Sequence, residues 1–232
     1  MGITVRALQA AASAIAKPLA WLLTLVIRTG KVPSAWRVSD WRAMPKPGKR
    51  VCLQNMRPLS ITSLFSRLAE SVLLRRIPTD VLRSVMGESQ FGFARGCTTT
   101  DAIEAVLRKI EYALTQPTGP KGRNGVGLAM LVDFSSAFTT VDPAAAIKRL
   151  REKRVPPYII TFVEGWLHDR HATMTMDDGA HRRARLDRGV PQGSVLGPLL
   201  WAAAMAGLLD NLDKSLERAR RVEECDESGR RS

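Results

Sequence analysis

The chain has 232 residues, a net charge of +13 and a hydrophobic share of 45%. That apolar share excludes a disordered chain and suffices for a core. The charge excess favours a polyanionic partner, nucleic acid before others. At this length the chain is one large domain or two small ones tightly joined. Cys52, Cys97 and Cys225 form no C-x-x-C pair, and their odd, scattered arrangement fits free thiols in a reducing compartment. His168, His171 and His181 read as solvated turn and strand positions rather than a metal cluster.

From the N-terminus, residues 5–28 read as helical and are ended by Gly30 and Pro33. The apolar stretch Ala7 to Ile27 is long enough to span a bilayer, but Lys17 and Pro18 sit in its middle. It carries no secretory cleavage pattern. The expectation is a helix pair broken at Pro18, with no membrane partner. Val38 to Met44 reads as a strand closed by the turn Pro45-Lys46-Pro47-Gly48. Ser60 is expected to open a helix reaching Arg76, with Ile61, Leu64, Leu68, Val72 and Leu73 on its apolar face. A short helix follows Pro78. Thr98 to Asp101 then caps a helix to about Leu114, with Ile103, Val106, Leu107 and Ile110 on one face.

Residues 116–125 are rich in Pro, Gly and basic side chains, which marks a surface loop and the best internal boundary. Val126 to Val132 reads as a buried strand. Pro143 and Pro156-Pro157 start two further helices. Ala172–Met176 and His181–Leu186 bracket Asp177-Asp178-Gly179-Ala180, a hairpin pattern. Val195 to Leu212 reads as an apolar helix, followed from Lys214 by a charged tail.

Asp133 is the first residue with a chemical implication. A carboxylate at the exit of an apolar strand is costly unless it is paired or holds a cation; a helix N-cap or a salt-bridged strand end is the plainer alternative. The residues around it decide between these. Asp133-Phe134-Ser135-Ser136-Ala137-Phe138-Thr139-Thr140-Val141-Asp142 resembles the first catalytic block of reverse transcriptases. Arg188-Gly189-Val190-Pro191-Gln192-Gly193-Ser194-Val195-Leu196-Gly197-Pro198-Leu199-Leu200-Trp201 is nearly the full second block of the non-LTR retrotransposon branch, and the more specific match. Pro45-Lys46-Pro47-Gly48, Asn55-Met56-Arg57-Pro58-Leu59-Ser60 and Gln90-Phe91-Gly92-Phe93-Ala94-Arg95-Gly96 resemble the upstream blocks, all in the family's order. The resemblance covers about residues 18 to 212.

The resemblance implies an α+β right-hand polymerase fold made of fingers and an incomplete palm, without a thumb. Residues 1–35 would form a helical extension, 36–125 the fingers, 126–213 a partial palm and 214–232 a charged tail. It implies nucleotidyl transfer onto a primer 3′-OH, assisted by two Mg²⁺ ions. Asp133 would be a catalytic carboxylate and metal ligand, and the backbone carbonyl of Phe134 a second ligand. Phe138 would crowd the ribose 2′ position, Gln192 and Gly193 would floor the nucleotide pocket, and Lys46 and Arg57 would hold the triphosphate. The partners implied are an RNA template, a DNA primer and a deoxynucleoside triphosphate.

No Tyr-x-Asp-Asp turn follows the second block. Thr175-Met176-Asp177-Asp178-Gly179 resembles one but precedes that block and fits a hairpin turn better. The expectation is a reverse-transcriptase fragment truncated before its third block and inactive alone. The alternatives are a basic, non-catalytic nucleic-acid-binding remnant, or a fragment completed in trans by a chain carrying the rest of the palm and the thumb.

Overall fold

The computed structural model describes residues 3–52, 55–87, 89–115, 117–118, 123–124, 129, 131–134, 136–176, 178–209 and 211. Two helices open the chain, α1 (Val5–Ala10) and α2 (Ala12–Thr29). The expected break at Pro18 is absent; the interruption falls at Ala11, and α2 continues through the proline. Pro18 lies on the exposed side of the helix, where water can reach the carbonyl left without its N–H partner. By length and composition α2 could cross a membrane. Its C-terminal half, however, buries Leu23, Val26 and Ile27 against the helical core.

A single turn, α3 (Ser34–Arg37), leads into β1 (Val38–Pro45), which pairs antiparallel with β2 (Met56–Ile61). Here the sequence expectation needs correction: Ser60 and Ile61 belong to a strand, and the helix α4 (Leu64–Arg75) starts after them. Pro58 argues against a strand on propensity, but β2 is an edge strand, where a missing donor is tolerated. The buried face of α4 also differs from its apolar stripe. Ser66, Ala69, Glu70 and Leu73 are buried, whereas Leu68 is exposed.

Next come α5 (Thr79–Met86) and α6 (Thr99–Thr115). Thr98 and Asp101 form a reciprocal cap: the Thr98 backbone N–H donates to Asp101 Oδ2 at 2.6 Å, and the Asp101 N–H donates to Thr98 Oγ1 at 3.2 Å. The predicted apolar face of α6 is present but uncovered, with Ile103, Val106 and Leu107 exposed and no residue of the helix buried. Inside the predicted loop, Pro117–Thr118 and Arg123–Asn124 pair as β3 and β4. Most of the predicted strand 126–132 lies outside the described residues. The two at its end, Leu131 and Val132, are not in a strand and are 96% and 66% exposed, which contradicts a buried strand end there. An apolar strand needs partners on its flanks and faces, and Leu131 and Val132 pair with no described strand.

Helices α7 (Pro143–Glu152) and α8 (Pro157–Leu167) start at their prolines as expected. Asp142 caps α7, its Oδ1 accepting from the Ala144 N–H at 3.0 Å. The hairpin β5 (Arg170–Thr175) and β6 (His181–Leu186) follows, and then α9 (Gly197–Leu209). The fold class is α+β. Its four-stranded sheet runs β2-β1-β5-β6 and is mixed, because β1 and β5 are parallel.

The core gathers Leu73, Val85, Leu150, Phe162, Trp166, Leu196 and Leu200 from α4, α5, α7, α8, the turn before α9 and α9 itself. Arg149 is buried among them, and its guanidinium donates to the carbonyls of Val85 and Ser84 at the end of α5. Helix α2 meets α8 where Gly30 crosses Gly165, and a Cβ built on Gly165 would lie 2.0 Å from the Gly30 carbonyl oxygen. Backbone cannot retreat as a flexible side chain can, so Gly165→Ala should destabilise the chain by about 1–3 kcal/mol through overpacking. Urea unfolding checks this; an unchanged midpoint would show that α2 is free to shift.

Candidate functional site

The Arg188–Trp201 block begins as β6 ends and runs as an extended turn into α9. Its backbone is held from several directions. The Gly189 N–H donates to the Val141 carbonyl at 2.7 Å and the Val190 N–H to the Phe138 carbonyl at 2.8 Å. These bonds seat the second block on the end of the first. The approach is close: a Cβ on Gly189, whose φ is +80°, would lie 2.5 Å from the Thr139 carbonyl oxygen. On the opposite side the Ser60 N–H donates to the Gln192 carbonyl at 2.9 Å, which joins the block to β2. Gly193, with φ +111°, passes so near that a Cβ there would meet the Ser60 carbonyl at 3.2 Å.

Two buried charged groups complete the support, and neither was picked out in the sequence. Glu70 of α4 is fully buried. Its Oε2 accepts the N–H groups of Val195 and Leu196 at 2.7 and 3.1 Å. Its Oε1 accepts from Ser66 Oγ at 3.0 Å, and Ser66 Oγ in turn accepts from Trp166 Nε1 at 3.0 Å. Burial raises the Glu70 carboxyl pKa above its ordinary 4.5, against the lowering effect of these hydrogen bonds and of Arg67. Arg170 of β5 is also buried and donates from Nη1 to the Gly189 carbonyl at 2.9 Å. Burial pushes its guanidinium down to about 10, with Glu70 acting in the opposite direction, so it stays charged at neutral pH. Arg170 also lies over the Trp166 ring, 5.9 Å from its centroid.

Among the predicted site residues, Gln192 and Gly193 thereby lie beside β2, and Phe138 is tied to the same block through its carbonyl, which accepts from the Val190 N–H. Phe138 is half-buried between Phe93, edge-on at 6.2 Å, and Trp201 at 6.4 Å. It is therefore a packed aromatic whatever else it does. Arg57 is exposed on β2 opposite Met44 of β1. Lys46 follows β1, its backbone N–H donating to the Asn55 carbonyl at 2.8 Å. Asp133 and Phe134 are not drawn into this network. Both are exposed in irregular chain, and Asp133 makes no hydrogen bond or ion pair with another described residue.

One exposed carboxylate and a neighbouring carbonyl do not fit a two-ion set, and no cluster of three His, Cys, Asp or Glu exists among the described residues. Met176 and Gly179 lie in the β5–β6 hairpin turn: the Met176 N–H donates to the Ala180 carbonyl and the Gly179 N–H to the Met176 carbonyl, both at 2.9 Å. Asp177 lies outside the described residues. The turn reading of this Asp-Asp pair therefore agrees with its surroundings.

The sheet register exposes a second feature. Residues opposite one another share a face, so Asp40, Arg42 and Met44 of β1 line up with Ile61, Leu59 and Arg57 of β2. Across the parallel pair Asp40 faces Thr173, which faces Arg183 on β6, and His171 faces Arg185. The other face carries Ser39, Ser60 and Ala172, all buried. The first face is solvent-accessible and carries four exposed arginines, Arg42, Arg57, Arg183 and Arg185. Arg42 and Arg185 are ion-paired with Asp40 and Asp187, each at 3.0 Å. With strands about 4.8 Å apart, this basic platform is roughly 15 Å across.

Residues 44–224 match the family model for reverse transcriptase (RNA-dependent DNA polymerase), which is most of the chain. The chain belongs to the reverse transcriptase family. Its relatives are polymerases of non-LTR retrotransposons. The probable RNA-directed DNA polymerase from transposon BS of Drosophila melanogaster is 27% identical over 193 residues, 82% of this chain and 20% of that protein. The retrovirus-related Pol polyprotein from type-1 retrotransposable element R2 of Popillia japonica is 28% identical over 187 residues, covering 80% of this chain and 25% of its own length. The RNA-directed DNA polymerase from mobile element jockey of Drosophila melanogaster is 28% identical over 188 residues, 79% of this chain and 19% of that protein. The chain thus spans about a fifth of the length of the curated relatives it matches.

Two outcomes check the site. Gly189→Ala forces both a left-handed φ and a backbone clash on one residue, so a loss of about 2–4 kcal/mol is expected in urea unfolding. A loss below 0.5 kcal/mol, the usual scale of surface substitutions, would show that the two blocks are not tightly seated. The second outcome concerns pH. Because the folded pKa of Glu70 lies above 4.5, the folded state holds this proton more tightly than the unfolded one. The group's contribution to stability is full below 4.5 and is lost as pH rises through the folded value. Glu70→Gln should therefore gain stability relative to wild type as pH rises through that window. Paired urea titrations measure the difference, and a trend of the opposite sign would contradict it.

Proposed function

We infer that this chain works in RNA-directed DNA synthesis as the part of a retrotransposon reverse transcriptase that engages the nucleic acid and the incoming nucleotide. Reverse transcriptases as a family use a divalent metal ion and bind template, primer and deoxynucleoside triphosphates. In this reading residues 36–125 act as fingers and 126–213 as part of a palm, in a right-hand arrangement. Gln192 and Gly193 floor the nucleotide pocket beside Phe138, and Lys46 and Arg57 reach the triphosphate. Asp133 and the Phe134 carbonyl would supply oxygen ligands to a single Mg²⁺. The observation that carries the reading is the pair of backbone bonds, Ser60 to Gln192 and Val190 to Phe138, which gather three of the family's blocks at one place.

A two-ion mechanism needs more carboxylates than Asp133 supplies, and the sequence holds no Tyr-x-Asp-Asp turn after the second block. The 232-residue chain by itself is therefore proposed to bind without polymerising, and the basic face of the sheet favours this. A complementing chain bearing further carboxylates is the partner that would make it catalytic.

Two measurements test the proposal. Primer extension with Mg²⁺ or Mn²⁺ should give no incorporation above an Asp133→Ala control, and incorporation above that control would overturn the non-catalytic half. Fluorescence anisotropy with an RNA–DNA primer duplex should show affinity falling steeply with salt and little dependence on sequence. Replacing Arg42, Arg183 and Arg185 by Ala should lower the salt slope by about one per lost phosphate contact. An unchanged slope would remove the sheet face from the nucleic-acid site.

A further inference from the structure

We propose that Glu70 is the positioning residue of the nucleotide-pocket floor, holding Gln192 and Gly193 in place from behind through the Val195 and Leu196 amides; this rests on the pocket reading above. Glu70 lies on α4, more than a hundred residues away in sequence, and has no access to solvent or substrate. A single carboxylate oxygen, Oε2, accepts two consecutive backbone N–H groups three and four residues beyond Gln192. Two donors on one oxygen fix both the position and the direction of the backbone at that point. Ser194 tightens the same turn: its Oγ donates to the Pro191 carbonyl at 2.8 Å and accepts from the Gly197 N–H at 3.0 Å. The span from Pro191 to Gly197 is therefore closed on itself and pinned to α4.

The other end is pinned by a charge of opposite sign. Arg170 holds the Gly189 carbonyl, and Glu70 and Arg170 converge on Trp166, the first through Ser66 and the second through its ring face. Burying two ionic groups in a core is costly, and apolar packing commonly gives equal or better stability at such sites. What an acid offers here over an apolar side chain is an acceptor for the two amides that precede α9. Its directional bonds all end on Ser66 and on the backbone behind Gln192 and Gly193, which accounts for the acid by what it orients.

The test compares full-length variants by two readouts. One is binding of a fluorescent N-methylanthraniloyl deoxyadenosine triphosphate with Mg²⁺. The other is hydrogen exchange at the Val195 and Leu196 amides. Glu70→Leu leaves both amides without an acceptor; it should weaken nucleotide binding at least tenfold and speed exchange at those amides by a similar factor. Glu70→Gln keeps an oxygen acceptor and should stay within about threefold of wild type in binding. Leu150→Ala, a core truncation on α7 that removes no hydrogen bond of this turn, should lower stability while leaving both readouts near wild type. Should Glu70→Leu not fold, Glu70→Asp, whose carboxylate falls one methylene short of the amides, carries the same comparison. If Leu150→Ala weakens binding as much as the Glu70 variant, Glu70 is merely structural and the proposal is overturned. If Gln192→Ala loses nucleotide while Glu70→Leu keeps it, the Glu70 proposal alone falls. If Gln192→Ala binds like wild type, or wild type binds no nucleotide, the pocket reading fails and takes this proposal with it.

Discussion

A carboxylate with no solvent access is the constraint around which the second block is arranged. Glu70 can remain in the core only if its oxygens are satisfied, and the groups that satisfy it are Ser66 and two amides of the Val195–Leu196 backbone. The dependence is mutual: those amides precede α9 and would otherwise be donors without partners. Arg170 repeats the logic with the sign reversed, its guanidinium taking up the Gly189 carbonyl. Between the two charges the chain has little freedom. The block residues read in the sequence sit on that stretch, in a geometry set by Glu70 and Arg170, which lie outside those blocks.

The sequence was most legible where a residue's role depends on its immediate neighbours. The prolines at the starts of α7 and α8, the Thr98–Asp101 cap and the β5–β6 hairpin are all local effects, and all are found where the sequence places them. The block order from Pro45 to Trp201 identified the family without any knowledge of the fold. Legibility failed where burial depends on partners from elsewhere in the chain. In α4 the apolar stripe through Leu64, Leu68 and Val72 suggested one buried face, yet the helix buries Ser66 and Glu70 because Trp166 and the Val195 turn approach from that side. Helical spacing alone cannot reveal a buried acid, although Ser66, Ala69, Glu70 and Leu73 do share a face. Strand β2 was hidden by Pro58, which only an edge position excuses.

The opposite error occurred at α6 and at residues 131–132. The helical spacing in α6 puts its apolar residues on one face, and the run to Val132 reads as a buried strand, yet the side chains are exposed: Ile103, Val106, Leu107, Leu131 and Val132 all face outward. Sizeable exposed apolar patches commonly mark surfaces that another segment or partner covers. The chain spans about a fifth of the relatives it matches, so these faces belong to a segment whose relatives carry much more protein. An amphipathic pattern records which face is fit to be covered. Whether the cover is within the same stretch of chain is a separate matter.

These two behaviours divide the site itself. Gln192, Gly193 and Phe138 are over-determined: hydrogen bonds from Ser60, Val190 and the Val195 turn, together with aromatic contacts to Phe93 and Trp201, fix them within the described residues. Asp133 is the reverse case, exposed and tied by no hydrogen bond or ion pair to another described residue. A carboxylate that must hold a cation at a defined distance from a nucleotide needs its backbone fixed. Two exposed apolar residues immediately precede it, and whatever covers Leu131 and Val132 would also fix Asp133. If the proposed roles hold, the nucleotide-facing half of the site follows from packing among the described residues, whereas the metal-facing half would depend on contacts that Asp133 does not make with them.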